Sequence, residues 1–349
     1  MSSKQEDVVP TMADVARRAG VSASTVSYAL TGVRPISSAT RDRILRAMHD
    51  LGYTPNAFAR GLKSKRSRII AVLLPKDERN LGLSSTEYIF GASDHAQDRG
   101  YHLLLWTTGV DALDDLARLA RQGLVDGALL MEVRLRDPRI EVLRKTGLTF
   151  ALIGRNADPS GVDFADTNFD QCARVALRYL AAEGHRHIGF VNLDVATIRA
   201  GRSNAIRLRD GIMRAGRESG VLVTAVAAES SAAGGRAAFA ALLDEDPEIT
   251  AVIAFNEQAI PGIMTAAADA GRHVPDDLSV LCIDMSAQAA LMSTPALTTV
   301  GPAAAGIGEA AAEMLIRRLE AEDPGGVTQL LFDGELVVRA STGPVRARR

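Results

Sequence analysis

Residues 11–30 read TMADVARRAGVSASTVSYAL, and the spacing of small and apolar residues in this stretch decides how the chain begins to fold. Thr11 with Asp14 three positions on forms a capping box that starts a helix, with Val15, Ala16 and Ala19 on its inner face. Gly20 supplies the backbone freedom for a tight turn. Ser22 can cap a second helix running to Leu30, with Val26 and Leu30 on one side. Ala16 is small where two helices must cross closely, and Val26 drops from the second helix onto the first. Each feature is common alone; in register they give the helix-turn-helix pattern. Ser38 then caps a third helix, whose Ile44, Leu45, Met48 and Leu51 form a buried stripe before Gly52 ends it.

Charge sets this head apart from the rest. The 349 residues carry a formal net charge of −2, yet residues 1–68 hold twelve Lys/Arg against five Asp/Glu, or +7, leaving −9 for the other 281. A small basic head on a larger acidic body implies that only the head meets a polyanion. With 47% hydrophobic and 23% charged residues, the chain is globular and long enough for two or three domains. No stretch nears the roughly 18 apolar residues that span a bilayer. Residues 1–10 lack the apolar core of a secretory signal, so a cytoplasmic protein with no membrane partner is expected. Cys172 and Cys282 stand far apart, which excludes a disulfide framework or a cysteine-built zinc site.

The segment 11–30, together with TRDRILRAMHDLGYTPN at residues 40–56 and ARGLK at residues 59–63, resembles the headpiece, third helix and hinge of the LacI/GalR transcriptional regulators. The resemblance implies a helix-turn-helix DNA-binding headpiece at 10–55, a hinge at 56–67 and an effector-binding core at 68–343. In helix-turn-helix proteins the N-terminal residues of the second helix face base edges. By resemblance those are Ala23, Ser24 and Tyr28, with Ser22, Thr25, Ser27 and Asn56 serving the DNA backbone. Ala23 offers a methyl, Ser24 a hydroxyl, and Tyr28 a ring and a phenol; none makes the bidentate arginine–guanine contact. Asn56, Ala59, Leu62 and Lys63 resemble a minor-groove hinge helix in which Leu62 pairs with its twin in a dimer and pries open a base step. Gly61 and the shortness of this segment predict a hinge that is helical only on DNA.

Beyond the hinge, apolar runs at 69–74, 102–107, 125–131, 149–153, 188–193, 221–227, 251–255, 278–283 and 297–300 alternate with amphipathic segments such as 86–99, 111–122, 171–183 and 303–320. Such alternation specifies α/β architecture with doubly wound parallel sheets. The strands are too many for one sheet, and the polar stretch 156–161 divides them. The resemblance supplies two lobes like those of periplasmic sugar-binding proteins, an N-lobe of 68–159 and 295–322 and a C-lobe of 160–294 and 323–343. It also matches 335–342 to a last strand. Residues 345–349, VRARR, read as a disordered solubilising tail.

In open parallel sheets, ligands bind beyond the carboxyl ends of the strands. Phe255, Asn256 and Asp284 end two strands and suit stacking and hydroxyl recognition, so they are effector-site candidates. The family often places an effector-binding arginine three residues before a glycine; here Leu208 precedes Gly211, flanked by Arg207 and Arg209, which join the candidates. Glu257 stands where an aspartate is common. The implied protein is a dimeric, effector-responsive operator-binding regulator, a tetramer staying open, with a sugar or related metabolite in its cleft. A cytosolic solute-binding module and a sugar-acting enzyme are the alternatives. The in-register head speaks against the first and the missing catalytic groups against the second. His185 and His187 lack further metal ligands, Gly306 and Gly308 read as a helix start, and Gly91 lacks the second glycine of a nucleophile elbow, so no catalytic residue, metal or cofactor is expected.

Overall fold

A computed structural model describes residues 10–31, 34–53, 66–75, 82–108, 112–323 and 325–346. The hinge candidates Asn56, Ala59, Leu62 and Lys63 lie outside them. The chain forms two compact units, residues 1–67 and 68–349.

The first unit contains α1 (Met12–Ala19), α2 (Ala23–Thr31) and α3 (Ser38–Leu51). Both halves of the Thr11–Asp14 capping box form, and Gly20 ends α1 in the left-handed conformation at φ 66°. Val15, Ala16, Ala19, Val26, Ile44 and Ala47 make the core. Two details differ from the sequence expectation. Ser37, not Ser38, caps α3 by accepting the Thr40 amide. Leu45 is 52% exposed, while Ala47 takes a place in the core; residues 44, 47, 48 and 51 share a helix face that position 45 misses by about 100°.

The second unit is built on two six-stranded sheets with the same winding. The first runs β11-β5-β4-β3-β1-β2, from β1 (Ile69–Pro75), β2 (His102–Thr108), β3 (Gly127–Leu130), β4 (Thr149–Ile153), β5 (Asp163–Thr167) and β11 (Gln329–Phe332). The second runs β12-β10-β9-β8-β6-β7, from β6 (His187–Asn192), β7 (Leu222–Ala227), β8 (Ala251–Ala254), β9 (Ser279–Ile283), β10 (Thr298–Gly301) and β12 (Glu335–Val337). Every pairing is parallel except β10 with β12. Central strands such as β1, IIAVLLP, are apolar throughout because helices cover both faces. The first lobe carries α4 (Leu83–Asp98), α5 (Leu113–Arg121), α6 (Pro138–Thr146) and α13 (Ala304–Glu320). The second carries α7 (Phe169–Ala182), α8 (Val195–Arg199), α9 (Ser203–Glu218), α10 (Ala232–Glu245), α11 (Ile260–Asp269) and α12 (Ala287–Met292).

Sheet membership moves the three crossings later than the lobe boundaries read from sequence. The chain changes lobe between Thr167 and Phe169, between Gly301 and Ala304, and between Phe332 and Glu335. Residues 160–167 and β11 therefore belong to the first lobe and β10 to the second; the stretch 156–161 is only the β4–β5 loop. β5 escaped notice because it reads DFADT. Its Asp163 is buried by partners that sequence does not display: Arg318 of α13 pairs with it, and the Thr328 amide donates to it at 2.6 Å. Of the last strand, only Glu335–Val337 is extended pairing. The tail is docked up to Arg346, through the Val345 amide to the Glu183 carbonyl at 2.9 Å and Arg346 to Asp276 at 2.9 Å.

Gly91 and Gly308 serve packing, while Gly306 has open space around it. A Cβ on Gly91 of α4 would stand 2.0 Å from the Ala305 carbonyl oxygen, and one on Gly308 of α13 1.9 Å from that of Tyr88. The two helices thus cross with backbones in contact. Gly308→Ala should force them apart and cost about 1–3 kcal/mol in chemical denaturation of the core. An unchanged midpoint would refute the tight crossing.

Candidate functional site

On the head, the exposed face of α2 begins with a hydroxyl cluster. Ser22 Oγ accepts the Thr25 amide at 3.1 Å and lies 2.7 Å from Ser24 Oγ and 2.8 Å from Thr25 Oγ1. Ala23 and Ser24 are exposed, and Tyr28 is half-buried one turn later with the Arg34 guanidinium 5.5 Å from its ring centroid. Ser27 differs from expectation: it is 4% exposed and turned inward, because position 27 lies on the side of α2 that Val26 buries.

In the core, strand ends from both lobes line a cavity of about 150 Å³. Phe255, Asn256 and Asp284 all border it. Phe169 meets Phe255 edge-on at 5.7 Å and 81°, forming an apolar wall. Asn256 is buried and donates to the Ala228 carbonyl at 2.8 Å, without capping the turn that follows it. Arg207 and Arg209 stay outside the lining. Arg207 donates to the Asn156 carbonyl at 2.8 Å and to Ser203 Oγ at 3.0 Å, and Arg209 pairs with neighbouring Asp210 at the surface. Two positions apart on a helix, they point about 200° from one another, and Leu208 between them is core.

The arginines that do border the cavity are Arg155 and Arg202, which sequence reading missed. Arg202, at the start of α9, forms an ion pair with Glu132 of the other lobe. Arg155 Nε lies 3.1 Å from Asp166 Oδ2 at the end of β5, out of line for a hydrogen bond. Seeing β5 would have exposed Asp166; the others emerge only from the tertiary fold.

Several bonds cross between lobes. The Tyr88 hydroxyl of α4 donates to Asp284, 3.0 Å from Oδ1. Glu257 reaches the N-terminus of α4, accepting the Leu83 amide at 2.6 Å and the Ser84 hydroxyl at 2.7 Å. It does for α4 what Gly82, its cap residue, has no side chain to do. A Cβ on Gly82 would stand 2.2 Å from Glu257 Oε1. The Ser203 amide donates to the Val133 carbonyl at 3.0 Å, and the Ser203 hydroxyl to the Arg155 carbonyl at 2.5 Å. Glu132 and Asp284 hold φ of 55° and 60°, strained values for non-glycine residues, and both border the cavity.

Burial dominates the cleft's acid chemistry. It pushes the Asp166 carboxyl up to about 7, opposed by Arg155 and Arg207 and reinforced by Asp284. Burial likewise raises Asp284 to about 6, against hydrogen bonds from Tyr88 and Thr167 and with the charges of Glu132 and Glu257. Among the described residues no cluster of three or more His, Cys, Asp or Glu side chains that could hold a metal ion exists. His185 Nε2 donates to the Gly343 carbonyl at 3.1 Å and its Nδ1 meets Thr250 Oγ1 at 2.8 Å, while His187 Nδ1 pairs with Asp246 at 2.8 Å. Among the described residues no helix is long and apolar enough to cross a membrane.

Residues 11–56 match the profile of bacterial regulatory proteins, lacI family, and residues 177–342 that of a periplasmic binding protein-like domain. The repressor PurR of Vibrio parahaemolyticus is 30% identical over 324 residues, 89% of this chain and 92% of its own length. The chain belongs to the lacI family. Catabolite control protein A of Priestia megaterium is 29% identical over 327 residues, 89% of this chain and 93% of its own. Among solved structures, a transcriptional regulator CelR–cellobiose complex superposes with a TM-score of 0.71 at 26% identity, over 95% of this chain and 99% of that one. The lac repressor dimer bound to operator and the anti-inducer ONPF has the same fold, with a TM-score of 0.82 at 22% identity over 96% and 100% of the chains. As a lacI-family protein, the chain is a transcriptional regulator with a DNA-binding and an effector-binding domain.

Two measurements probe the cleft of this lacI-family core. Glu257→Ala should cost about 1–2 kcal/mol, the scale of a lost helix cap, and enlarge the ligand-free particle in small-angle scattering; unchanged melting and scattering would exclude a role in closure. The folded pKa values of Asp166 and Asp284 lie above the 3.8 of a free aspartate, so the fold prefers their protonated forms. Their stabilising contribution is complete below that unfolded value and is lost as pH rises through 6 to 7. Melting should therefore fall between pH 5 and 8 with a slope that Asp166→Asn and Asp284→Asn flatten; an identical slope in both variants would contradict the burial argument.

Proposed function

We propose that the protein is a repressor that binds a palindromic operator as a dimer and is controlled by a small hydroxyl-rich metabolite, a sugar or a close relative, held in the interlobe cleft. The observation that carries this reading is that the cavity is lined from both lobes and spanned by Tyr88–Asp284, Glu257–Ser84 and Arg202–Glu132. A ligand there touches both lobes at once, so its affinity depends on their arrangement, which is the condition for control by population shift.

The cavity's chemistry supports the ligand class. Ser84, Asn204, Asn256 and Asp284 offer donors and acceptors beside the Phe169–Phe255 wall. At about 150 Å³ it lies below the range for drug-sized ligands, which favours a small one. The solved relative CelR holds cellobiose. Exposed apolar residues support the dimer: Phe90 of α4 is 63% exposed, Leu104 and Leu105 lie on edge strand β2, and Met292 of α12 is 72% exposed. Large apolar side chains left in water at such positions suit burial by a second copy.

In vitro selection from random duplex DNA should enrich a palindrome, bound with an affinity that falls steeply with salt. Sequence-independent binding alone, with and without a panel of sugars and nucleobases, would refute the operator reading. By sedimentation, Phe90→Glu with Met292→Glu should turn a dimer into a monomer and weaken operator binding; a persistent dimer would exclude these surfaces from the interface.

A further inference from the structure

The exposed face of α2 is chemically poor for reading DNA. Ala23, Ser24 and Tyr28 include no group that can bond a base edge twice, and the helix contains no basic residue. Arg34, beyond the C-terminus of α2, lies with its Cζ 5.5 Å from the Tyr28 ring centroid. Two other arginines of the head have acidic partners, Arg17 with Asp14 at 2.9 Å and Arg18 with Asp50 at 3.0 Å, while Arg41, Arg43 and Arg46 make no ion pair among the described residues; what sets Arg34 apart is its place over the Tyr28 ring of α2. Among the described residues Arg34 has no ion pair, and it is exposed.

We propose that Arg34 is a base-reading residue, held by the Tyr28 ring so that its guanidinium edge meets a guanine in the major groove. The inference rests on the reading of α2 as the operator-recognition helix. A cation–π contact holds a guanidinium over the ring through the ring's quadrupole and consumes none of its N–H donors, which stay free for another partner. Those donors match the O6 and N7 acceptors of guanine, the commonest specific pairing in the major groove. A phosphate contact needs only positive charge nearby; an edge-on bidentate contact needs the orientation that the ring imposes. Tyr28 is the positioning residue, acting through its ring rather than its hydroxyl.

The test is selection from random duplex DNA with the full chain and four variants, Arg34→Ala, Arg34→Lys, Tyr28→Phe and Tyr28→Leu, followed by binding across a salt series. Arg34 is exposed and Arg34→Lys keeps the charge, and equal melting temperatures verify folding. Wild type and Tyr28→Phe should share a guanine preference at one position of each half-site. Arg34→Ala, Arg34→Lys and Tyr28→Leu should lose that preference by roughly tenfold to a hundredfold, with other positions kept. If Arg34→Ala weakens all sequences equally, lowers the salt slope by about one and is rescued by Arg34→Lys, Arg34 is a phosphate contact and the proposal is overturned. Unchanged specificity in both Arg34 variants overturns it too, while leaving operator binding intact. Retention of the preference by Tyr28→Leu overturns the role of the ring. Should the wild type itself enrich no motif, the operator reading falls and this inference with it.

Discussion

The contact between α4 and α13, backbone against backbone at Gly91 and Gly308, is the constraint on which the core depends. It fixes the helix that holds the cleft together. From α4 come the Leu83 amide and Ser84 hydroxyl bound by Glu257 and the Tyr88 hydroxyl that meets Asp284. Farther along, His95 of the same helix and Arg99 at its C-terminal cap bond to Glu313 of α13, and Arg99 and Arg68 both reach Glu320. One end of α4 therefore faces the cleft, while its other end is tied by charge to the end of α13 and to Arg68, where the core begins. Side chains larger than hydrogen at the crossing would shift all these partners together.

Buried charge is used where the chain must be fixed rather than merely packed. Asp137 and Arg139 are almost wholly enclosed, and Arg139 also bonds the Met131 carbonyl at 3.0 Å. The Arg139 guanidinium and the backbone amides of Arg134 and Arg139 hold the Asp137 carboxyl below the usual range despite burial. Removing either partner would strand a desolvated charge, which costs far more than the pair contributes. Asp163 with Arg318 works similarly at β5, pinning a strand whose sequence would not choose a sheet interior.

Legibility from sequence followed how local the physics was. The head was readable because Ala16, Gly20 and Val26 must stand in register for two short helices to cross, and all of its core side chains lie within one short segment. Nine strands were readable as apolar runs, which parallel sheets covered on both faces require. β5 was not, because Asp163 is neutralised by Arg318, far along the chain, and Asp166 borders a cavity that only the folded core forms; missing it displaced the lobe boundary. In the cleft, Phe255, Asn256 and Asp284 were visible because strand ends are where doubly wound sheets gather side chains. Arg202 and Glu257 are held by partners in the opposite lobe, and no spacing rule reaches across lobes; Arg155 pairs with Asp166 of the β5 strand that the apolar pattern does not reveal. Arg209 is turned to the surface by helical phase, whereas Arg207, one turn beyond Ser203, commits its guanidinium to Ser203 and the Asn156 carbonyl.

The bonds across the cleft also bound what a ligand must do. Each contributes about 1 kcal/mol net, since water replaces it when the lobes part. The lobes are also covalently joined by three chain crossings, so the arrangements compared are rearrangements about those strands, not dissociation. Driving such an equilibrium from 1:99 to 99:1 takes about 5.5 kcal/mol of differential affinity. A small molecule in a cavity of about 150 Å³ makes few contacts, so nearly all must exist in one arrangement only. Lining drawn from both lobes meets that requirement. A cavity built within one lobe would bind equally well in either arrangement and shift nothing.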